Sequence, residues 1–157
     1  MARSILDGKR ILAVDDEPDV LAVLEEEILN ACPDCKIDKS TTYEGGADLL
    51  KRNDYDVVIL DIMGVQGFDL LQIAADRKLR AVILTAKAMT PEALKRSHDL
   101  GARAFLPKEK LGEIAVFLED VLTYEHKTGW ERLLKKLEDY FDSRWGNEWK
   151  KKYPFSY

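Results

Sequence analysis

The stretch Val57-Val58-Ile59-Leu60-Asp61 decides the fold of this chain. Its first four residues are apolar and three of them are β-branched, which is typical of a strand buried on both faces of a parallel sheet. A carboxylate, Asp61, follows at once. Because ligands of open parallel sheets bind outside the carboxyl ends of the strands, Asp61 stands where such proteins carry out their chemistry. Taken alone, an Asp here could equally begin a turn or cap the next helix.

Four further short segments repeat the strand pattern and alternate with amphipathic segments. The other expected strands are Ile11–Val14, Lys36–Lys39, Ala81–Leu84 and Ala104–Leu106. Between them apolar residues recur at helical spacing, first in a helix that runs from Pro18 to about Asn30. Strands that alternate with helices five times predict an α/β fold, a parallel sheet with helices on both faces. The polar segment Lys36–Lys39 is expected near an edge of that sheet.

Capping residues predict several helix boundaries. Pro18 follows acidic residues and fits the first turn of a helix. Thr41 and Glu44 have the spacing of a capping box, so a second helix is expected to start there. The segment Thr90–Glu92 supplies an N-cap, a first-turn proline and an acid for the fourth helix. Gly101 is placed to close that helix in the left-handed conformation.

The composition is that of an ordinary globular chain with an acidic bias. Hydrophobic residues make up 46% and charged residues 34% of the 157 residues, and the net charge is −5. We therefore expect neither direct DNA binding nor membrane insertion. The segment 1–4 has no apolar signal-peptide region, which makes a cytoplasmic location the default expectation.

The two cysteines, Cys32 and Cys35, form a C-x-x-C motif. A structural zinc site needs two more ligands, and the two histidines lie far away without ligand spacing. A redox motif should open a helix after a strand, whereas this one follows a predicted helix. We interpret the motif as a turn with two free thiols.

Polar side chains reach the carboxyl edge of the predicted sheet from four strands. These residues are Asp15, Asp16, Asp61, Thr85 and Lys108. Two unit charges about 4 Å apart repel by about 4 kcal/mol at an effective dielectric of 20, so three clustered carboxylates favour a bound cation. Mg²⁺ suits such a site, because it takes one or two carboxylates together with waters and phosphate oxygens. A lysine and a hydroxyl beside it are apt partners for phosphoryl oxygens, so the pocket favours phosphoryl transfer.

These fragments, in this order, resemble the receiver domain of two-component response regulators, the CheY-like family. The resemblance covers about Lys9 to Tyr124 and rests on four pieces of sequence. They are Ile11-Leu12-Ala13-Val14-Asp15-Asp16-Glu17, Val57-Val58-Ile59-Leu60-Asp61, Leu84-Thr85-Ala86 and Gly101-Ala102-Arg103-Ala104-Phe105-Leu106-Pro107-Lys108. The resemblance implies a doubly wound five-stranded parallel sheet of order 2-1-3-4-5.

The resemblance also implies a function and a metal site. Asp61 would be the nucleophile that accepts a phosphoryl group from a sensor histidine kinase or a phosphotransfer protein. Asp16, Asp61 and the backbone carbonyl of Met63 would bind Mg²⁺ directly, and Asp15 would hold it through water. Such a protein is a phosphoacceptor switch for a downstream protein target, and it is not an enzyme that turns over an external substrate.

Three further residues have roles implied by the resemblance. Lys108 would pair with the phosphoryl oxygens, and Thr85 would move to hydrogen-bond the new group. Phe105 would be the aromatic switch that turns inward with it, although a core aromatic residue would fit the same position in the sequence.

The chain departs from the family pattern in two loops. The loop after the phosphoacceptor, Met63–Gly67, is short and lacks the usual proline, so its path differs from the family pattern. Glu109 follows Lys108 where the family usually has a proline in a cis peptide, so we expect a trans bond. Met63 and Lys87 occupy positions that tune phosphoryl lifetime in the family.

A composition change near Tyr124 divides the chain into a receiver domain, 1–124, and an amphipathic helical extension, 125–157, with no recognisable output domain. Thr128–Glu131 has capping-box form and predicts the start of a new helix. Its apolar stripe comprises Trp130, Leu133, Leu134, Leu137, Phe141 and Trp145. Intramolecular docking on the receiver is the favoured interpretation; a homodimer contact and a docking helix for another protein remain the alternatives.

Two other function classes share parts of this pattern. A phosphatase of the haloacid dehalogenase type also has an α/β fold, an Asp nucleophile and Mg²⁺, but it requires Asp-x-Asp after strand one. Asp15–Glu17 does not supply that motif. A phosphorylation-independent pseudo-receiver, which acts purely as an interaction module, usually lacks the phosphoacceptor or the lysine, and both are present here.

Overall fold

The computed structural model describes residues 4–87 and 89–153, and its centre is a five-stranded parallel sheet. The strand order is β2-β1-β3-β4-β5, which confirms the expected topology. The strands are β1 Arg10–Val14, β2 Lys36–Ser40, β3 Val57–Asp61, β4 Ala81–Thr85 and β5 Ala104–Pro107. The α-helices are α1 Pro18–Ala31, α2 Tyr43–Arg52, α3 Gly67–Asp76, α4 Pro91–Asp99, α5 Ile114–Thr123, α6 His126–Trp145 and α7 Trp149–Lys152. A 3-10 segment, Lys108–Glu113, joins β5 to α5.

The burial of each strand follows its sequence. All residues of β3 and β4 are buried, as continuous apolar runs require when helices cover both faces of a sheet. The polar strand β2 is only half-buried and lies at the edge, as predicted. The core therefore surrounds β3 and β4, the strands that end on Asp61 and Thr85.

Strand register brings the predicted site residues to one edge. Val14 of β1 pairs with Leu60 of β3, so Asp15 and Asp61 leave adjacent strands at the same level. Thr85 of β4 pairs with Pro107 of β5, immediately before Lys108. The parallel arrangement thus assembles groups that lie far apart in the sequence.

The predicted helix caps are only partly confirmed. Thr90 caps α4 by accepting a hydrogen bond from the Ala93 backbone N–H at 3.1 Å, and Gly101 has a φ of 96°. The cap of α2 is Thr42, whose hydroxyl accepts from the Gly45 N–H at 3.0 Å, and not Thr41 as the capping-box spacing indicated.

The capping-box prediction at Thr128–Glu131 is wrong. Helix α6 begins at His126, with Glu125 at the N-cap and no side-chain cap. The motif therefore lies inside the first turns of the helix, where the backbone N–H groups already have partners such as the bond from Gly129 N to Glu125 O at 2.8 Å. The short helix α7 lies beyond the predicted stripe.

The C-terminal extension that starts at residue 125, called the tail below, packs on the receiver domain of its own chain. Trp130, Leu133, Leu137 and Phe141 are buried, while Leu134 and Trp145 are partly buried. The Trp130 indole N–H donates to the Ala102 carbonyl at 2.7 Å, just before β5. The favoured interpretation of the apolar stripe, intramolecular docking, is what the structure shows. None of the described helices has both the length and the apolar composition needed to cross a membrane.

Both cysteines are free and buried. The Cys32 thiol donates to Asp34 at 3.0 Å and to Asp7 at 3.2 Å, and the Cys35 thiol donates to the Leu6 carbonyl at 2.9 Å. Burial, reinforced by these acidic partners, raises the pKa of Cys32 far above its ordinary value. A protonated thiol is a poor nucleophile, which agrees with the predicted turn of two free thiols.

Candidate functional site

The three predicted carboxylates meet at the carboxyl edge of the sheet. Oxygen atoms of Asp15, Asp16 and Asp61 all lie within 4.8 Å of one another. Asp15 and Asp61 are buried, whereas Asp16 is exposed at the rim. The Glu17 backbone N–H donates to Asp15 Oδ1 at 2.9 Å and fixes that carboxylate at the start of α1. The cluster is therefore built into the end of the sheet.

Lys108 places its ammonium among these acids. Its Nζ lies 3.0 Å from Asp15 Oδ2, 3.2 Å from Glu17 Oε2 and 3.6 Å from Asp61 Oδ1. Glu17 was not among the predicted site residues, although it directly follows the acidic pair in the sequence. The lysine thus contacts three carboxylates, and the carboxylates of the pocket outnumber its lysines.

Burial and the excess negative charge both change the pKa values of the acids in the pocket. Burial first, and then the charges of Asp15 and Asp16, raise the pKa of Asp61 to about 7, against the opposing pull of Lys108. Burial also raises the pKa of Asp15. Burial lowers the pKa of Lys108, but its contacts with Asp15 and the charge of Asp61 outweigh this, so the pKa is raised overall. Asp61 therefore needs more positive charge than Lys108 provides to be fully ionised near neutral pH.

The loop after β3 depends on two glycines that sequence reasoning noted only as loop residues. A Cβ on Gly67 would lie 2.1 Å from the Asp61 carbonyl oxygen, and one on Gly64 would lie 2.3 Å from Asp16 Oδ2. Gly64 also has a φ of 81°, in the left-handed region. A side chain at Gly67 would therefore have to displace strand backbone, whereas one at Gly64 would strain the left-handed backbone and push the Asp16 carboxylate aside.

The remaining predicted residues lie in or beside the cleft. Its wall consists of Asp16, Glu17, Asp61, Met63, Gly64, Ala86, Lys87 and Lys108. Thr85 is fully buried at the end of β4. Phe105 is not part of the cleft wall; it is fully buried on β5, with its ring centroid 6.3 Å from that of Phe141 in the tail. The Lys108–Glu109 peptide is trans, as expected from the missing proline, and no described peptide bond is cis.

The donor set fits a hard divalent cation. Its ligand atoms are carboxylate oxygens, which suit Mg²⁺ better than softer metals. A dication would offset the excess negative charge and restore the ionised form of Asp61. An acid at the end of a buried strand, two neighbouring carboxylates and a lysine that follows β5 thus meet at one edge of the sheet.

This arrangement agrees with the known proteins that the chain resembles. Residues 11–117 match the family described as the response regulator receiver domain. The match spans well over half of the chain, so the chain belongs to the receiver domain family of two-component response regulators. Members of this family generally bind Mg²⁺ at such an acidic pocket and interact with histidine kinases or phosphotransfer proteins.

Individual relatives agree with the family but are distant. The two-component response regulator ARR18 of Arabidopsis thaliana is 36% identical over 85 residues, which is 50% of this chain but only 13% of that protein. A response regulator from Thermotoga maritima has a TM-score of 0.65 at 13% identity, over 74% of this chain and 98% of that chain. A CheY-like receiver domain protein from Methanospirillum hungatei has a TM-score of 0.56 at 19% identity, over 86% of this chain and 98% of that chain. These structural likenesses bear on the fold alone.

Proposed function

We propose that this protein is a phosphoacceptor switch of a two-component phosphorelay, with Asp61 as the phosphorylated residue. The observation that carries the proposal is the position of Asp61, which is buried at the end of β3 with Lys108 Nζ 3.6 Å from its Oδ1. A sensor histidine kinase or a phosphotransfer protein would supply the phosphoryl group. The chain would be chemically changed in this reaction and would not turn over an external substrate as an enzyme does.

The transfer needs a single bond exchange. A carboxylate oxygen of Asp61 forms a bond to phosphorus while the P–N bond of the donor phosphohistidine breaks, and the electron pair of that bond stays on the imidazole nitrogen. Little covalent chemistry is left for the protein, so positioning and charge neutralisation carry the rate. Lys108, now 3.0 Å from Asp15, is placed to follow the negative charge onto the phosphoryl oxygens.

The acid cluster would hold Mg²⁺ directly through Asp16, Asp61 and the backbone carbonyl of Met63, and through water by way of Asp15. The bound ion supplies charge neutralisation for the incoming phosphoryl oxygens. Asp15 and Asp16 supply the negative charge that attracts the ion, and the backbone bond from Glu17 keeps Asp15 oriented. Thr85, buried at the end of β4, would donate its hydroxyl to the new phosphoryl group.

Phosphorylation would be read by a protein partner whose identity the residues do not specify. The supporting feature is that Thr85 and Phe105 lie on the neighbouring strands β4 and β5, and that Phe105 packs against Phe141 of the tail. A cytoplasmic location fits a partner of a histidine kinase and is part of this proposal.

The proposal is tested by incubating the full chain with acetyl phosphate and Mg²⁺ and measuring intact mass. We expect one phosphoryl group on the wild-type chain and none on Asp61→Asn, while Asp56→Asn, outside the cluster, should behave as wild type. An adduct that persists in Asp61→Asn would overturn the assignment of the acceptor. No adduct on a folded wild-type chain, even with a phosphohistidine donor, would favour the alternative, a pseudo-receiver that acts as a phosphorylation-independent interaction module.

A further inference from the structure

The C-terminal end of the tail contacts both segments that border the site. One is the connection between β4 and α4, whose residues Ala86 and Lys87 line the cleft. The other is the 3-10 segment Lys108–Glu113, which begins with the site lysine. The tail therefore reaches past the surface of the receiver to the backbone that shapes the phosphoryl-accepting cleft.

Trp145 makes the contact with the first segment. Its indole N–H donates to the backbone carbonyl of Met89 at 3.2 Å. The Trp145 ring stacks on Phe141 with centroids 4.6 Å apart and planes within 2° of parallel. Stacking on Phe141 thus holds the Trp145 ring in place. Its indole N–H anchors the backbone carbonyl of Met89, two residues after Lys87.

Two contacts reach the second segment. Arg144 lies 3.3 Å from Glu109, the residue that follows Lys108, and the Lys110 ammonium lies 5.5 Å from the centroid of Tyr140. Below them, Phe141 packs against Phe105, three residues before Lys108. Lys108 therefore lies at the junction of β5 and the 3-10 segment, and both of these elements contact the tail.

We infer that Trp145 is a positioning residue for phosphorylation of Asp61, assisted by Arg144, and that the docked tail pre-organises the phosphoryl-accepting cleft. The inference rests on the proposed function and deepens it. Trp145 touches no reacting atom; it acts through the Met89 backbone, and Arg144 acts through Glu109. The exposed ion pair of Arg144 carries less of the effect than the partly buried indole.

The direction of the effect follows from linkage. If the docked tail stabilises the phosphorylated chain at equilibrium, then a phosphoryl group on Asp61 stabilises the docked tail by the same factor. Phosphorylation would thus shift the equilibrium of the tail towards its docked state. If phosphorylation instead released the tail, the docked fraction would fall.

The test compares two tryptophan variants of the full chain. Trp145→Phe keeps an aromatic ring on Phe141 but removes the N–H that binds Met89. Trp149→Phe is the matched control, because that indole donates to Asp142 within the tail, at 2.9 Å. We expect Trp145→Phe to lower the maximal rate of phosphorylation by acetyl phosphate by about 5-fold, because the cleft is less well positioned, with unchanged Mg²⁺ affinity and melting temperature. Trp149→Phe should match wild type.

Two further measurements separate positioning from simple stability. Amide hydrogen exchange at Lys87 and Met89 should be faster in Trp145→Phe than in Trp149→Phe before any phosphate is added. Arg144→Gln should lower the rate by about 2-fold, and Arg144→Lys should restore it, since the charge is what contacts Glu109.

The outcomes are distinguishable. If the wild-type chain is phosphorylated and Trp145→Phe matches it in rate and in exchange, the positioning role is wrong while the proposed function stands. A faster rate in Trp145→Phe would also overturn the inference, since it would make the tail an inhibitor. If the folded wild-type chain accepts no phosphoryl group, the proposed function and this inference fail together.

Discussion

The ammonium of Lys108 lies closer to Asp15 than to Asp61, at 3.0 Å from the one carboxylate and 3.6 Å from the other. The lysine therefore balances the charge of Asp15 as well as that of Asp61, the proposed acceptor. A phosphoryl group on Asp61 would bring additional negative charge within its reach. The ammonium would then have to shift its interactions from Asp15 towards the phosphoryl oxygens.

Replacing Lys108 should impair phosphoryl acceptance far more than folding. Lys108→Met removes the ammonium that lies 3.0 Å from Asp15 and 3.6 Å from Asp61, so we expect the phosphorylation rate to fall roughly 10- to 100-fold. The measurement is the rate of adduct formation by intact mass. Lys51→Met, on the exposed side of α2, is the control and should match wild type. An unchanged rate in Lys108→Met would contradict the assigned role.

The raised pKa of Asp61 predicts that, without bound metal, the folded chain becomes less stable as pH rises. Its pKa is about 7 in the folded chain against an ordinary value of 3.8, because of burial and the nearby acids. Between about pH 4 and pH 7 the folded state keeps a proton that the unfolded state releases, so the free energy of unfolding falls as pH rises through this window. This cost remains in full above pH 7.

Asp61→Asn tests that dependence in the presence of a chelator. The variant should be more stable than wild type at pH 8 by about 2 kcal/mol, and the gain should disappear near pH 4. For a chain of this size, about 1 kcal/mol shifts the melting temperature by roughly 2–4 °C. Asp56→Asn serves as the control. A wild-type chain that gains stability from pH 4 to pH 8 relative to Asp61→Asn would contradict the raised pKa.

Binding of Mg²⁺ should release protons and strengthen with pH. Because the ion prefers ionised carboxylates, its affinity should rise as pH increases through about 7, where Asp61 titrates. Calorimetry in buffers of different ionisation heat measures the released protons directly. We expect Asp16→Ala to weaken binding more than Asp15→Ala, since Asp16 is the direct ligand in the proposed site. The reverse order would exchange the two roles.

Gly67 of the site loop should tolerate no side chain. Gly67→Ala places a Cβ 2.1 Å from the Asp61 carbonyl oxygen, a backbone atom that can move only with the strand. We expect a loss of about 1–3 kcal/mol in the free energy of unfolding, measured by denaturant titration. Gly129→Ala is the control: it lies inside α6 with nothing within 4 Å, so it should gain about 0.5–1 kcal/mol.

Much of the fold was predictable because its signals are local. The apolar run 57–60 and the terminal Asp61 predict a buried strand and a strand-end acid, and both are found. The cluster of Asp15, Asp61 and Lys108 was predictable because parallel strands bring their carboxyl ends to one edge. The roles of these residues remain predictions until phosphorylation is measured.

The remaining features depend on tertiary contacts that no local pattern carries. The start of α6 at His126 was missed because the capping-box spacing of Thr128–Glu131 also occurs inside a helix. The need for Gly67 arises from the path of the Asp61 backbone, which only the folded chain defines. The bond from Trp145 to Met89 joins residues 56 positions apart, so it could not be read from spacing.

Removing the tail should expose a surface that the receiver does not cover by itself. In the full chain Phe141 packs on Phe105, and the Trp130 indole binds the Ala102 carbonyl at 2.7 Å. Burial of each large apolar side chain contributes about 1.5–3 kcal/mol, so truncation after Tyr124 should lower the melting temperature and the solubility. Trp130→Ala should lose about 3–5 kcal/mol in the full chain, while Lys135→Ala, exposed on α6, should be neutral. A truncated chain that matches the full chain in melting temperature, solubility and oligomeric state would show that the tail adds nothing to the receiver's stability.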